Sequence, residues 1–287
     1  MAIIININNI NIWTEVYGRE NNKAIILIAG AMAPAVFFPT DFCMKLADLD
    51  YQVIRFDNRD IGYSTHFQPA KNDNDPLPYT VYDMVEDVNQ ILVFYNIEKA
   101  IVVGHSMGGS IAQLFSIKYP QKTEQLFLLS APIIAFGRNK YNQSPQVILE
   151  DMWKVLMSNK MYQNYKKGKD EFLKVWKYLN GKRSFDTYLA DEYTKRLYET
   201  EVIDVAYNHT KIQNDIPDVF TDLSMLPFRI HFLYGENDHL AANAENTLIL
   251  ANSLPNADFT LLKNAGHMYF NVALWQEIFD VIKKNIL

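Results

Sequence analysis

Short apolar runs alternate with amphipathic segments along most of this chain, and the apolar runs end at Gly, Asp or Ser. Runs of this kind are typical of strands that are buried on both faces of a parallel sheet. Asn8 and Asn9 separate the first two runs and predict an antiparallel hairpin. We predict eight strands: Ile3–Ile7, Ile10–Tyr17, Ala24–Ala29, Gln52–Phe56, Ala100–Val103, Gln125–Leu129, Phe228–Tyr234 and Asp258–Leu262.

Segments with helical periodicity lie between these strands. Thr80 and Asp83 begin the first segment and predict a capping box, and Pro120 ends the second because proline cannot continue a helix. The alternation predicts an α/β fold with a mostly parallel sheet flanked by helices, and functional residues at the carboxyl ends of the strands. The predicted helices are Thr80–Tyr95, Ile111–Tyr119, Ala244–Leu254 and Val272–Ile286.

Residues 132–226 interrupt this alternation. The segment is rich in Tyr, Lys, Met and Trp and contains no run that resembles a core strand. Because the strand pattern resumes after it, we interpret 132–226 as a helical cap inserted after the sixth strand. Residues 1–131 and 227–287 then form the core domain. Helices are predicted in the cap around Val147–Met157, Glu171–Leu179, Asp186–Tyr198 and Val202–Asn208.

The composition narrows the class of protein. Of the 287 residues, 49% are hydrophobic and 21% charged, which excludes wholesale disorder. A net charge of −6 gives no electrostatic footprint for nucleic acid. Asn residues interrupt the apolar N-terminus, and the longest uncharged stretch contains Pro34 and Pro39, so we expect neither a signal peptide nor membrane insertion. Cys43 is the single cysteine, which excludes an intramolecular disulfide, and we expect a cytoplasmic protein.

The most specific motif is Gly-His-Ser-Met-Gly-Gly at positions 104–109, between a predicted strand and a predicted helix. G-x-S-x-G at such a junction predicts a nucleophile elbow, in which a strained backbone projects the Ser106 hydroxyl above the sheet. Gly104 and Gly108 lack side chains that would collide in this turn. A glycine-rich turn without chemistry is the alternative, and the acid and base found downstream argue against it.

A serine hydroxyl needs a base to activate it and an acid to orient that base. Asp238 follows the seventh predicted strand and His267 follows the eighth, so both lie at carboxyl ends of strands. We predict a catalytic triad in which Ser106 is the nucleophile, His267 the base and Asp238 the orienting acid.

Each of these assignments has an alternative. Glu236 is a second candidate for the acid, and His239 is a weaker candidate for the base because it adjoins Asp238. His105 is expected to pack beside the elbow. There is no H-E-x-x-H and no pair of cysteines, so we predict no metal and no cofactor.

An oxyanion hole requires two backbone N–H donors. Met107, the residue after the nucleophile, is expected to supply one. The other is expected from the turn after the third strand, where Ala31 is our first choice and Met32 the second.

The whole chain resembles the α/β-hydrolase fold with a helical cap, in which the order Ser106, Asp238, His267 recurs. Its N-terminal part is similar to the aclacinomycin methylesterase group, whose D-x-R-D-x-G-x-S stretch is matched by Asp57, Arg59, Asp60, Gly62 and Ser64. We interpret that loop as structural. The elbow has the form common among general esterases and carbon–carbon bond hydrolases, and Ala-Gly replaces the usual His-Gly before the oxyanion turn.

The resemblance implies a carboxylesterase-like function. Ser106 at the elbow disfavours haloalkane dehalogenases and epoxide hydrolases, which use Asp. We predict a serine hydrolase that cleaves a small to medium hydrophobic carboxylic ester, its small-molecule partner, through an acyl-enzyme. The alternatives are a carbon–carbon or amide (aminopeptidase-like) hydrolase with the same triad, and a ligand-binding protein with slow turnover. The candidate pocket residues are Met32, Trp153, Met157, Tyr207 and Tyr269.

Overall fold

The computed structural model describes residues 1–18, 23–68, 75–131, 165–199, 206–214, 220–238, 240 and 244–287. The strands are β1 (Ala2–Ile7), β2 (Ile10–Tyr17), β3 (Ala24–Ile28), β4 (Gln52–Phe56), β5 (Ala100–His105), β6 (Thr123–Leu129), β7 (Ile230–Gly235) and β8 (Ala257–Leu262). They form one sheet in the order β1-β2-β4-β3-β5-β6-β7-β8. The predicted α/β fold class is therefore confirmed.

Helices flank the sheet and fill the insertion between β6 and β7. They are α1 (Thr40–Ala47), α2 (Val81–Phe94), α3 (Met107–Lys118), α4 (Tyr165–Leu179), α5 (Thr187–Glu199), α6 (Ala206–Asn214), α7 (Phe220–Ser224), α8 (Ala244–Ser253) and α9 (Val272–Ile286), with short 3₁₀ helices at Ala35–Phe37 and Pro120–Lys122. Among the helices of the described ranges, none has both the length and the apolar composition needed to cross a membrane.

The sheet is antiparallel only at its N-terminal edge. β1 and β2 form the predicted hairpin, with Ile7 opposite Ile10, and β2 runs antiparallel to β4. Every later pairing is parallel. All residues of β3, β4, β5 and β7 are buried, as expected when helices cover both faces of a parallel sheet.

Successive side chains of the central strands enter two different cores, because side chains alternate across a strand. In β3, Ile26 and Ile28 pack with α2, α3 and α8, whereas Ile25 and Leu27 pack with α1 and α9. The second cluster also includes Phe172 and the rest of the apolar face of α4 and α5. The two long helices of the insertion thus share a core with the sheet.

The insertion is also hydrogen-bonded to the loop after β8. The end of α4 bridges that loop: Gly266 N donates to Asn180 O at 3.1 Å and Met268 N donates to Leu179 O at 3.0 Å. Within the described part of 165–226 the elements are helices, as expected for a cap. The predicted helix at Val147–Met157 lies outside the described residues, and the division into a core domain and a cap stays a prediction.

Two local predictions can be compared directly with the structure. The capping box is confirmed, since Asp83 N donates to Thr80 Oγ1 at 3.3 Å and Thr80 N donates to the Asp83 carboxylate at 2.7 Å. The second helix was expected to begin at Ile111, but α3 begins at Met107. Gly108 and Gly109 are poor helix formers, and tertiary packing places them in the first turn because only glycine fits there.

We expect Gly108→Ala to lower the free energy of unfolding by about 3 kcal/mol. A Cβ at this position would lie 2.2 Å from Ile28 O, and that carbonyl belongs to the sheet and cannot retreat. Urea denaturation measures the change. Lys118→Ala, at the exposed end of the same helix, is the control and should change stability by no more than about 0.5 kcal/mol. Equal stability of the two variants would contradict this account of the turn.

Candidate active site

Ser106 occupies the sharp turn between β5 and α3. Its φ of 52° and ψ of −122° lie in a region that non-glycine residues rarely adopt. The surrounding backbone allows this because chain segments approach closely: a Cβ at Gly104 would lie 2.4 Å from Gly108 O. The turn therefore has the strained geometry that the G-x-S-x-G motif predicts.

The structure brings Ser106, His267 and Asp238 together. His267 Nε2 lies 3.0 Å from Ser106 Oγ, and His267 Nδ1 lies 2.9 Å from Asp238 Oδ2. Asp238 follows β7, and His267 follows β8. The three residues come from three separate loops at the carboxyl edge of the sheet, and both His267 and Asp238 are buried.

The electrostatics favour an ionised Asp238. Burial alone would raise its pKa, but the charge and hydrogen bond of His267 and the N–H of Leu240 hold the pKa below its usual range. The Ser130 hydroxyl also donates to this carboxylate, and Tyr269 in turn donates to Ser130 Oγ at 2.8 Å. A carboxylate at this position fixes a proton on His267 Nδ1, so that Nε2 is left to accept from Ser106.

Glu236, the alternative acid, lies elsewhere. Its side chain is exposed and accepts a hydrogen bond from Asn264 N at 2.9 Å. It thereby stabilises the loop before His267 instead of contacting the imidazole. His239, the alternative base, lies outside the described residues.

His105 is a buried, neutral imidazole beside the elbow. Burial, together with the neighbouring His267, lowers its pKa to about 3. Its Nε2 lies 2.8 Å from His267 O, which as a carbonyl can only accept, so Nε2 carries the proton. The ring stacks on Phe37 at 4.1 Å between centroids. These contacts fix the backbone at His267, which agrees with the packing role expected for His105.

The turn after β3 lies over the elbow. A Cβ at Gly30 would be 3.0 Å from Ser106 Cβ. Ala33 N donates to Gly30 O at 3.3 Å and Met32 has a φ of 57°, which together define a type II turn. A left-handed conformation costs a non-glycine residue about 1–2 kcal/mol, so Met32 must be held by its surroundings.

The Met32 N–H is already engaged, since it donates to His209 Nδ1 at 3.0 Å. This leaves Ala31 as the better of the two predicted oxyanion donors from this turn. The second predicted donor, Met107 N–H, lies in the first turn of α3, where N–H groups have no partner within the helix.

The candidate pocket residues that the structure describes lie in different parts of the fold. Met32 is half-buried in the turn after β3, and Tyr207 lies in α6. Tyr269 is 1% exposed and packs against Phe37 and His105. Its ring therefore packs in the core beside His105. Trp153 and Met157 lie outside the described residues.

Three cap residues that contact the core near the site were missed by the sequence reasoning. Arg196 in α5 pairs with Asp57 at 3.3 Å, and Asn208 in α6 donates to Asp60 Oδ2 at 2.9 Å. His209 is the third. The available signal was the polar D-x-R-D stretch, whose buried carboxylates require partners, but no local pattern identifies which distant residues provide them.

The D-x-R-D-x-G-x-S loop itself is structural, as interpreted from its sequence. Asp57 accepts hydrogen bonds from Ala35 N at 2.8 Å and Tyr63 N at 3.1 Å. Arg59 pairs with Asp87 of α2 at 2.5 Å, and Ser64 Oγ donates to Asp57 O at 2.6 Å. Within the described residues, no group of three or more His, Cys, Asp or Glu side chains is placed to hold a metal.

Comparison with known proteins finds a match to a protein family and matches to individual proteins. A sequence model of the alpha/beta hydrolase fold matches residues 23–272. Rhodomycin D methylesterase from Streptomyces sp. (strain C5) is 30% identical over 115 residues, which cover 40% of this chain and 37% of that protein. The match therefore spans little more than a third of the methylesterase.

Two further similarities extend over most of the chain. A putative proline iminopeptidase from Mycoplasma pneumoniae is 24% identical over 284 residues, covering 89% of this chain and 87% of that protein. Bromoperoxidase from Bacillus anthracis superimposes with a TM-score of 0.76 at 17% identity, covering 100% of this chain and 99% of that one. At such identity the structural likeness shows the fold alone.

We expect Asp238→Asn to slow labelling of Ser106 by a fluorophosphonate at least about 100-fold, because an amide no longer fixes the reactive tautomer of His267. Glu236→Gln is the matched control on the same loop and should be labelled at the unmodified rate. Labelling rates are measured by intact-protein mass spectrometry. If Glu236→Gln were the slower variant, the acid would be assigned to the wrong residue.

Proposed function

The chain belongs to the alpha/beta hydrolase fold family, and we propose that it is a serine hydrolase acting on carboxylic esters through an acyl-enzyme. The observation that carries the proposal is the continuous hydrogen-bonded series from Ser106 Oγ through His267 to Asp238. Such a series supplies a nucleophile, a base and a group that orients the base.

In the proposed first step, Ser106 Oγ attacks the ester carbonyl carbon while His267 Nε2 takes the hydroxyl proton. The carbonyl oxygen becomes an oxyanion, and the N–H groups of Ala31 and Met107 stabilise its charge. Asp238 stabilises the imidazolium that forms. His267 then donates its proton to the departing alkoxide, and the alcohol leaves with Ser106 acylated.

In the second step, water takes the place of the alcohol. His267 accepts a proton from the water, and the resulting hydroxide attacks the acyl carbon. The tetrahedral intermediate again places its oxygen at the two N–H donors. Collapse of this intermediate returns the proton to Ser106 Oγ and releases the carboxylic acid, so the enzyme is regenerated.

An ester is the preferred substrate class for two reasons. Rhodomycin D methylesterase, similar to this chain at 30% identity, acts on an ester by its name, and the elbow has the sequence common among general esterases. The composition of the cap, rich in aromatic residues and Met, favours a small to medium hydrophobic acyl or alcohol group.

Amide hydrolysis is the second candidate. It is favoured by one observation, the alignment of a putative proline iminopeptidase over 89% of this chain. The same triad cleaves an amide if the leaving nitrogen receives its proton from His267. A panel of aryl esters of increasing acyl length, lactones, thioesters and prolyl anilides therefore separates the two candidates.

We expect Ser106→Ala and His267→Ala to lower kcat/KM for the best ester at least about 1,000-fold, because each removes a group that acts only as part of the triad. Circular dichroism and thermal unfolding verify that both variants remain folded. Turnover at the unmodified rate by either variant, or faster cleavage of prolyl anilides than of any ester by the unmodified protein, would refute the proposal.

The pH dependence should show a single protonation on the acid side. Ester hydrolysis falls as pH drops because protonated His267 cannot accept the serine proton. The pKa of Asp238 is held below its usual range and that of His105 is lowered to about 3, so neither of these two groups takes up a proton near neutral pH. A plot of log kcat/KM against pH should therefore have a limiting slope of one. A slope of two, or no acid limb, would contradict the assignment.

A further inference from the structure

A histidine of the cap contacts the turn after β3 directly. This turn, residues 30–33, is called the oxyanion turn below because it holds the proposed donor Ala31. His209 lies in α6 and is fully buried. Its Nε2 is 2.9 Å from Arg59 O, a carbonyl that can only accept, so Nε2 carries the proton. Its Nδ1 is therefore the bare nitrogen that accepts the Met32 N–H at 3.0 Å. Both ring nitrogens are used, and one of them holds the backbone of the turn.

That hydrogen bond acts on the peptide whose orientation defines the turn. Type I and type II turns differ by a flip of their central peptide, here the one between Ala31 and Met32. The type II form needs a positive φ at its third residue and favours Gly or Asn there, whereas this chain has Met32 with φ of 57°. His209 accepts the N–H only when the peptide has the type II orientation.

A second contact from the cap supports the same segment. Arg196 of α5 pairs with Asp57, and the other oxygen of Asp57 accepts the Ala35 N–H at 2.8 Å. The Arg196 guanidinium is also 3.7 Å from the ring centroid of Tyr63. Residues 30–35 are thus held by the cap at two places, once through His209 and once through Asp57.

We infer that His209 is a positioning residue for the proposed ester hydrolysis. By accepting the Met32 N–H, it fixes the peptide between Ala31 and Met32 and so steadies the turn from which the Ala31 N–H is proposed to bind the oxyanion. This inference rests on the proposed function, but the state of the turn can be observed without any substrate.

Two substitutions of His209 separate its two hydrogen bonds. Asn places an acceptor oxygen where Nδ1 stands, and Gln places a donor nitrogen where Nε2 stands but has no acceptor for Met32. We expect His209→Asn to keep kcat within about 5-fold and His209→Gln to lower kcat about 100-fold, with KM changed less than about 3-fold. A merely structural role would not distinguish them in this direction.

A second pair of substitutions tests the backbone of Met32 in the His209→Gln protein. Met32→Gly and Met32→Ala remove the same side-chain contacts, but only glycine adopts a positive φ without strain. We expect kcat of His209→Gln/Met32→Gly to exceed that of His209→Gln/Met32→Ala at least about 10-fold. Equal kcat in the two double variants would overturn the inference.

The control is His231, another buried histidine, 1% exposed, with both nitrogens hydrogen-bonded. It lies near the start of β7, at the opposite end of the strand from the site. His231→Gln should leave kcat unchanged, and a similar fall in kcat for this control would assign the effect of His209→Gln to lost stability.

An independent measurement follows the Met32 amide by hydrogen exchange in protein labelled with ¹⁵N-methionine. Exchange should be slow in the unmodified protein and His209→Asn, and faster by at least about 10-fold in His209→Gln. Equal exchange in all three proteins overturns the inference even if the protein is an esterase. If the unmodified protein cleaves no ester and is not labelled at Ser106, the proposed function fails, and the exchange result still decides whether His209 holds the turn.

Discussion

The strained backbone of Ser106 is the constraint on which the rest of the site depends. A serine with positive φ projects from the sheet only if β3, β5 and α3 approach almost to backbone contact, and glycines permit that approach. A Cβ at Gly108 would reach the carbonyl of Ile28 in β3, so the nucleophile turn and the oxyanion turn that follows β3 are packed against one another. Fixing one of the two turns largely fixes the other.

Burial gives this arrangement its electrostatic character. Asp238 stays ionised because His267, Leu240 N–H and the Ser130 hydroxyl oppose the cost of removing a carboxylate from water. For His105, burial and the neighbouring His267 outweigh its hydrogen bond to His267 O and lower its pKa, so this imidazole stays neutral. His105 and His267, with ring centroids 4.9 Å apart, therefore have different roles. One contacts the proposed nucleophile, and the other holds the backbone of the first.

The helices of the insertion contribute to the framework of the site. Through α5 and α6 the insertion contributes Arg196, Asn208 and His209 to a polar layer around the D-x-R-D loop. Each of these side chains meets a buried carboxylate or backbone group that would otherwise be costly to bury. A substitution in α5 or α6 that removes one of these side chains therefore leaves a buried polar group of the core without that partner.

Local sequence patterns are enough to predict eight strands with a hairpin at the start, the capping box at Thr80, and the elbow at Ser106. The sequence also named Asp238 and His267, because residues after parallel strands must meet at one edge of the sheet. The beginning of α3, the partner of the Met32 N–H and the partners of the buried carboxylates follow only from the tertiary structure. Those outcomes depend on contacts such as Met32 with His209, 177 positions apart, which no local periodicity encodes.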